Sequence, residues 1–284
     1  MIRAALLPIL WLCAGSIALA AEPQAKPTPP GTNAVPYRQE SAKPVIESAT
    51  MKVAFKLGDT TVHALLHQRM SARPTMVNVH DDENTSVEAG KASLEEYGGR
   101  LIELVHSGER LISFNFDGRS HAFDPNRMFS DVGITETLKS HSRYSAEAHA
   151  EIKAFATRYL QQFALDQEPV IIALHNTVDG TFSVDSSLPT ATHGANAASV
   201  NVSPNRSKFD FFYVTEKTFF DHLQARDFNV VFQDNQGVTD DGSLSVYFAK
   251  KGIPYINIEA GMQHLTNQIE MVKAVREMPN GMSK

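Results

Sequence analysis

The stretch Val77-Asn78-Val79-His80-Asp81-Asp82-Glu83-Asn84-Thr85 decides which folds and which chemistry this chain can have. The apolar run that begins at Met76 predicts a buried strand, and a His and a Glu three residues apart follow directly after it. At this spacing an imidazole nitrogen and a carboxylate oxygen can converge on one side of a turn. Zinc accepts both groups, and a catalytic zinc site takes three protein ligands. The same pair also occurs in solvated turns, so a third ligand is needed to favour a metal.

A second apolar run, from Pro169 to Leu174, also ends in a histidine, His175. A run of this length without polar alternation predicts a strand that is buried on both faces of a parallel sheet. The carboxyl ends of parallel strands meet at one edge, where open α/β sheets bind their ligands. We therefore predict an α/β fold with a mixed, mostly parallel sheet and helices on both faces. The candidate site is expected at the carboxyl edge of the strands.

A third apolar run, from Ile253 to Ile258, leads into Glu259. The strand that it predicts would place this carboxylate at the same edge of the sheet as the two histidines. A carboxylate buried beside a metal can act as general base and pass a proton to a leaving amine. The alternative is that Glu259 only caps the helix that starts near Gln263.

His80, Glu83 and His175 together resemble the H-x-x-E…H zinc set of the M14 metallocarboxypeptidases. The sequence His175-Asn176-Thr177 is most similar to the succinylglutamate desuccinylase/aspartoacylase branch of that group. The resemblance implies a zinc-carboxypeptidase-like fold with one Zn²⁺ per chain, bound by these three residues. It also implies a hydrolase acting on C–N bonds with Glu259 as its general base.

The segment Asp124-Pro125-Asn126-Arg127-Met128-Phe129 contains an Asn-Arg pair suited to binding a carboxylate, because a guanidinium presents a planar fork of donors. An arginine paired with an acid elsewhere in the fold is the alternative. The segment resembles the one that holds the substrate carboxylate in the same family. By that resemblance Asn126 and Arg127 bind substrate, and Arg119 polarises the scissile carbonyl. Leu244 stands at the specificity position and implies an apolar or neutral pocket.

The chain departs from the family pattern at three points. The acid that often stands two residues before the second zinc histidine is replaced by Ala173, so that imidazole needs another partner. The glycine common after the first histidine is replaced by Asp81. Only twenty-five residues follow Glu259, from which we expect that the β-rich domain covering the aspartoacylase site is absent.

The first fifty residues predict two segments outside the domain. Residues 1–20 have the charged start, apolar core and small-residue cleavage site of a signal peptide, and residues 21–50 have the composition of a disordered Pro/Ala-rich tether. We expect a periplasmic or secreted protein with no stable membrane anchor after cleavage and a catalytic domain over residues 51–284. The only cysteine, Cys13, lies in the signal segment, so a metal in the domain needs nitrogen and oxygen ligands. The net charge of −6 gives no indication of binding to nucleic acid.

The remaining segments predict the frame around the site. Residues 52–67 predict an edge hairpin or strand, in which His63 and His67 are expected to be surface residues. Helical spacing predicts helices over residues 86–97, 145–165 and 263–278. The long polar stretch 180–207 predicts a loop at the rim of a substrate cleft.

Two classes of function remain open from the sequence. The first is an exported zinc hydrolase that cleaves a peptide or amide bond next to a free carboxylate, as a carboxypeptidase or amidase acting on short or cell-wall peptides. An N-acyl amino acid deacylase of the aspartoacylase or succinylglutamate desuccinylase type is an alternative enzyme. The second class is a periplasmic relative that binds a peptide without cleaving it.

Overall fold

The computed structural model describes residues 51–178 and 181–278. The predicted signal peptide and tether lie outside the described residues. Eleven strands are found in the described part of the chain: β1 (Met51–Leu57), β2 (Thr60–Arg69), β3 (Thr75–Asn78), β4 (Gly99–Val105), β5 (Ile112–Phe116), β6 (Arg119–Phe123), β7 (Ile171–Thr177), β8 (Ala197–Asn201), β9 (Phe211–Val214), β10 (Asn229–Gln233) and β11 (Tyr255–Gly261). The α-helices found there are α1 (Asn84–Tyr97), α2 (Asp131–His141), α3 (Ala146–Gln162), α4 (Lys217–Ala225), α5 (Leu244–Lys250) and α6 (Leu265–Arg276).

Nine of the described strands form one mixed sheet in the order β1-β2-β4-β3-β7-β11-β9-β10-β8. Its four central strands, β4, β3, β7 and β11, are parallel to one another. The outer pairs β1–β2, β2–β4, β9–β11 and β8–β10 are antiparallel. Strands β5 and β6 form a separate hairpin. The α/β architecture with a mixed sheet is therefore confirmed.

Side chains along the central strands alternate between the two faces of the sheet, and each face packs against its own hydrophobic core. On β7, Ile171 and Ala173 face the core that is covered by α2, α3, α5 and the β5–β6 hairpin. Ile172 and Leu174 face the other core, which is covered by α1, α4 and α6. Successive side chains of a strand point to opposite faces, so His175 lies on the first of these faces.

Three features differ from the sequence prediction. Helix α2 had no predicted counterpart, although Ser130 caps it by accepting a hydrogen bond from the N–H of Gly133. The predicted loop 180–207 contains β8 and short 3₁₀ turns. His67 is buried against Glu103 of the neighbouring strand, and its assignment to the surface was wrong. None of the helices among the described residues is both long enough and apolar enough to span a membrane.

Candidate metal centre

The three predicted ligands meet in a buried cluster at the carboxyl edge of the sheet. His80 follows β3, Glu83 precedes α1, and His175 lies near the end of β7. The Nδ1 atoms of His80 and His175 are 3.2 Å apart. Each lies 2.9 Å from a different carboxylate oxygen of Glu83. One ligand atom from each of the three residues lies within 4.8 Å of the others, so this set can hold a metal ion.

The charges of the cluster support one another. Burial alone would lower the pKa of His80, but the carboxylates of Glu83 and Asp124 outweigh burial and raise it to about 9. Burial would raise the pKa of Glu83, but the two histidines hold it well below its usual range. His80 and Glu83 therefore stabilise each other's charged forms.

Asp124 orients the first histidine from outside the cluster. Its Oδ1 lies 2.8 Å from Nε2 of His80, the nitrogen on the far side of the ring from Glu83. The backbone N–H of Asp124 donates to Oγ1 of Thr137, and its Oδ1 also accepts from the N–H of Asn126. Metal-binding histidines commonly donate their second N–H to a carboxylate, which fixes the tautomer and the ring. The donor set and this outer contact both fit a metal such as zinc.

The second histidine has a weaker outer contact. Ala173 offers no carboxylate, and the polar group that approaches Nε2 of His175 is Nδ2 of Asn126, at 3.5 Å. The backbone of His175 is fixed from behind instead, because its carbonyl accepts from Nε2 of the fully buried Gln268. Oε1 of Gln268 in turn accepts from Nδ2 of Asn176.

Glu259 lies beside this cluster on the neighbouring strand. It is directly paired with His175 in the parallel register of β7 and β11, which puts both side chains on one face of the sheet. Its side chain is buried, and Nδ2 of Asn257 donates to its Oε2 at 3.2 Å. Burial raises the pKa of Glu259, the charge of His175 opposes that shift, and the charge of Glu83 adds to it. A carboxylate with a raised pKa next to a metal centre is suited to taking up a proton.

Asn126 and Arg127 lie in a short 3₁₀ turn, Pro125–Arg127, between β6 and α2. Oδ1 of Asn126 accepts from the backbone N–H of Leu244 at 3.0 Å, which turns its Nδ2 toward the cluster. The guanidinium of Arg127 donates to the carbonyl of Asn126 and lies 3.7 Å from the carboxylate of Asp241. The side chains of Arg127 and Asp241 are 38% and 44% exposed, so this loose pair leaves the arginine accessible to a ligand. The side chain of Leu244 is buried in the apolar core, and only its N–H contacts the site.

The structure does not bring Arg119 to the cluster. This residue starts β6, is exposed, and pairs with Phe116 across the hairpin. A strand rises about 3.3 Å per residue, which puts Arg119 roughly 16 Å along the chain from Asp124. Arg110 reaches the cluster instead: its Nη1 donates to Oε1 of Glu83 at 2.8 Å, and its Nη2 lies 3.4 Å from Oδ2 of Asp124.

The loop that carries Arg110 is fastened to the turn that supplies two of the ligands. Oδ2 of Asp81 accepts from the backbone N–H groups of His106 and Gly108, at 2.7 and 2.6 Å. Asp81 is buried, and it lies between His80 and Glu83 in the chain. The acid at this position, which departs from the family pattern, therefore positions the loop of Arg110.

Comparison with known proteins gives similar folds at low identity. No family model matches this chain, and no curated protein matches it. The succinylglutamate desuccinylase/aspartoacylase from Rhodobacter sphaeroides is 14% identical, with 76% of this chain and 57% of that chain covered and a TM-score of 0.37. A succinylglutamate desuccinylase from Silicibacter sp. TM1040 is 13% identical, with 80% and 64% covered and a TM-score of 0.38. A Shewanella baltica protein, provisionally described as a metallopeptidase, is 12% identical, with 79% and 85% covered and a TM-score of 0.37.

This chain spans less than two thirds of the length of the first two of these proteins. The likeness is one of general fold, and we base the function on the side chains of the metal centre.

Proposed function

We propose that this protein is an exported zinc hydrolase that cleaves a peptide or amide bond next to a free carboxylate. The observation that carries the proposal is the convergence of His80, Glu83 and His175 at a strand edge, with Glu259 on the adjoining strand. Two imidazoles and one carboxylate are a ligand set of catalytic zinc. Bound there, zinc would polarise the scissile carbonyl as a Lewis acid and make water a stronger nucleophile.

The residues around the ligands would transfer the proton, stabilise the developing charge and bind the substrate carboxylate. Glu259 takes the proton of the attacking water and passes it to the leaving amine, which its raised pKa supports. Arg110 approaches from the rim with a side chain that is 45% exposed, and it can donate to the carbonyl oxygen as charge develops there. Arg127, with Nδ2 of Asn126, supplies donors for the substrate carboxylate. The three ligand residues themselves are buried, which limits the access of bulk water to the cluster.

The substrate class follows from the predicted export of the chain. Outside the cytoplasm, the abundant amides that end in a carboxylate are peptides and the stem peptides of the cell wall. We therefore propose a short peptide, with a cell-wall stem peptide as one candidate. The sequence His175-Asn176-Thr177 keeps deacylation of an N-acyl amino acid as a second candidate, because it is the part of the motif most similar to that branch.

Metal analysis of the purified protein tests the metal centre. We expect one zinc per chain in the wild type and none after His80→Ala, because two ligands bind zinc far more weakly than three. His141→Ala is the matched control, since His141 lies exposed in the last turn of α2. Wild-type protein that is correctly folded and binds no metal would support the non-catalytic peptide-binding class instead.

Paired substrates test the carboxylate. The zinc-loaded protein is incubated with short peptides whose last carboxylate is either free or amidated, and with N-acyl amino acids. We expect cleavage of the free peptides and at least a tenfold loss on amidation, because a charge-assisted hydrogen bond contributes about 1.5–3 kcal/mol. Equal cleavage of both forms would remove the role of Arg127 and leave the metal centre in place. Cleavage of N-acyl amino acids alone would select the deacylase.

A further inference from the structure

A second histidine–carboxylate pair, His264 and Asp210, lies at the same edge of the sheet as the metal centre. Asp210 directly precedes β9 and is 4% exposed. Its Oδ1 lies 2.7 Å from Nδ1 of His264 and accepts from the N–H of Gly261 at 2.9 Å. Its Oδ2 accepts from Nδ2 of Asn267 at 2.7 Å. A buried carboxylate fixed by these contacts holds the ring of His264, whose side chain is 31% exposed, in one orientation.

Gly261 makes room for this ring. A Cβ atom on Gly261 would lie 2.7 Å from both Nδ1 and Cε1 of His264. Residues two apart in a strand have their side chains on one face, so the missing side chain of Gly261 would share the face of Glu259. The imidazole of His264 occupies that space. It therefore lies on the face of the sheet that carries Glu259 and His175.

The pair extends a row of functional groups across four adjoining strands. The row contains His80 after β3, His175 on β7, Glu259 on β11, and Asp210 before β9 with His264 held against it. β9 lies on the side of β11 away from the metal ligands. A substrate whose scissile bond lies at Glu259 and the metal centre would reach His264 with its next atoms on the β9 side.

The orientation of the ring decides what it can bind. When Nδ1–H donates to a carboxylate, the other ring nitrogen, Nε2, presents a lone pair. Among residues 51–178 and 181–278, no hydrogen bond to Nε2 of His264 is found. The charge of Asp210 disfavours an anionic ligand at this position. The group that fits is therefore a donor, such as an amide N–H.

We propose that His264, oriented by Asp210, is a substrate-binding residue whose Nε2 accepts a hydrogen bond from a backbone N–H of a peptide. The peptide N–H lies beyond the scissile bond, on the β9 side of Glu259. This inference rests on the proposed function for the nature of the substrate. It adds a specificity element that would favour a peptide over a small N-acyl amino acid, which has no second amide to offer.

Two variants remove the acceptor in different ways. His264→Asn keeps an amide donor for Asp210 but has no outer acceptor, because its side chain ends where Nδ1 was. Gly261→Ala keeps His264 in the chain, but its added Cβ atom displaces the imidazole from its position beside Asp210. His141→Asn is the matched control for a change of histidine to asparagine at an exposed position away from the edge.

The full-length protein is assayed with peptides that are each N-methylated at a single amide. For the unmethylated peptide, we expect both variants to raise KM about 3- to 10-fold with kcat within twofold, which corresponds to one net hydrogen bond. At one methylation position, the wild type and His264→Asn should have equal KM, because the donor is already gone. An unchanged KM, or a difference between the two proteins that persists at every methylation position, would overturn the proposal.

Binding separates this inference from the proposed hydrolysis. The same peptides, labelled with a fluorophore, are titrated with wild type and His264→Asn, and the dissociation constant is read from anisotropy. Binding that depends on His264 without any cleavage would refute the hydrolase and leave the inference standing. Cleavage with no effect of His264→Asn on KM or on binding would refute the inference and leave the hydrolase standing. If neither protein binds or cleaves a peptide, both proposals fall.

Discussion

The sheet contains two buried histidine–carboxylate groups, one within a strand and the other beyond the strand ends. In the middle, Nε2 of His67 on β2 lies 3.1 Å from Oε2 of Glu103 on β4. Nζ of Lys91 on α1 is 3.6 Å from the same oxygen and covers the pair. At the strand end, Glu83 contacts two histidines, His80 and His175, that come from different strands.

The difference shows that burial and pairing do not by themselves identify a metal centre. In the middle of a sheet, each side chain points straight out from its strand, so a histidine meets an acid of a neighbouring strand and the helix above closes over them. Beyond a strand end the backbone can turn, and groups from a turn and from several strands point at one place. Parallel strands repeat this at one edge, which is why that edge holds ligands.

Of three single substitutions, replacement of the proposed general base, Glu259, is expected to have the largest effect. Glu259→Gln keeps the shape of the side chain and removes its capacity to take up a proton. Turnover should fall by about 10²- to 10⁴-fold, while zinc content and melting temperature stay near those of the wild type. Steady-state kinetics and metal analysis on the same preparation measure this. Glu95→Gln on the exposed face of α1 is the control. Near-normal turnover would show that another group acts as the base.

Removing His67, the histidine within a strand, should lower the stability of the protein without removing the metal. His67→Ala leaves Glu103 buried with one partner fewer, and breaking a buried pair costs about 3 kcal/mol of unfolding free energy. We expect this loss in urea unfolding, with one zinc per chain still bound. His63 lies four residues before His67 on β2 and is partly exposed. The control variant His63→Ala should therefore lower the unfolding free energy by less than about 1 kcal/mol. Loss of zinc from His67→Ala would mean that the two groups are coupled.

Weakening the outer carboxylate should give the smallest of the three effects. Asp124→Asn keeps a partner for Nε2 of His80 but removes the charge that supports the ring. Zinc affinity should fall by about 10- to 100-fold, measured by competition with a chromophoric chelator. Asp117→Asn, in the exposed turn between β5 and β6, should leave it unchanged. An affinity equal to that of the wild type would indicate that Asp124 serves the fold and not the metal.

The central strands and their end residues could be predicted because their signals are local. Continuous apolar runs identify β7 and β11, and parallel strands of this kind bring His175 and Glu259 to one edge. The direct pairing of His175 with Glu259 in the register of the two strands is seen only in the structure. The convergence of His80 and Glu83 with these residues needed only the spacing within one turn.

The contacts around the ligands could not be predicted, because they depend on where long side chains reach. Arg110 comes to Glu83 through a loop whose path is set by Asp81, and neither residue belongs to a recognisable pattern. The family resemblance implied Arg119, but the β5–β6 hairpin carries that residue away from the edge. His67 was assigned to the surface because β-strand alternation gives the face of a residue and not what covers that face.

The separation of the ligands along the chain also has a consequence for how the protein matures. His80 and His175 are 95 residues apart, and Glu259 lies a further 84 residues on (259 − 175 = 84). Contacts between such distant segments form slowly, because closing the long loop between them costs conformational entropy. The nascent chain therefore has no complete ligand set until β3 and β7 have paired. The proposed metal ion can therefore be held by all three ligands only after these two strands have paired, in the compartment where that pairing takes place.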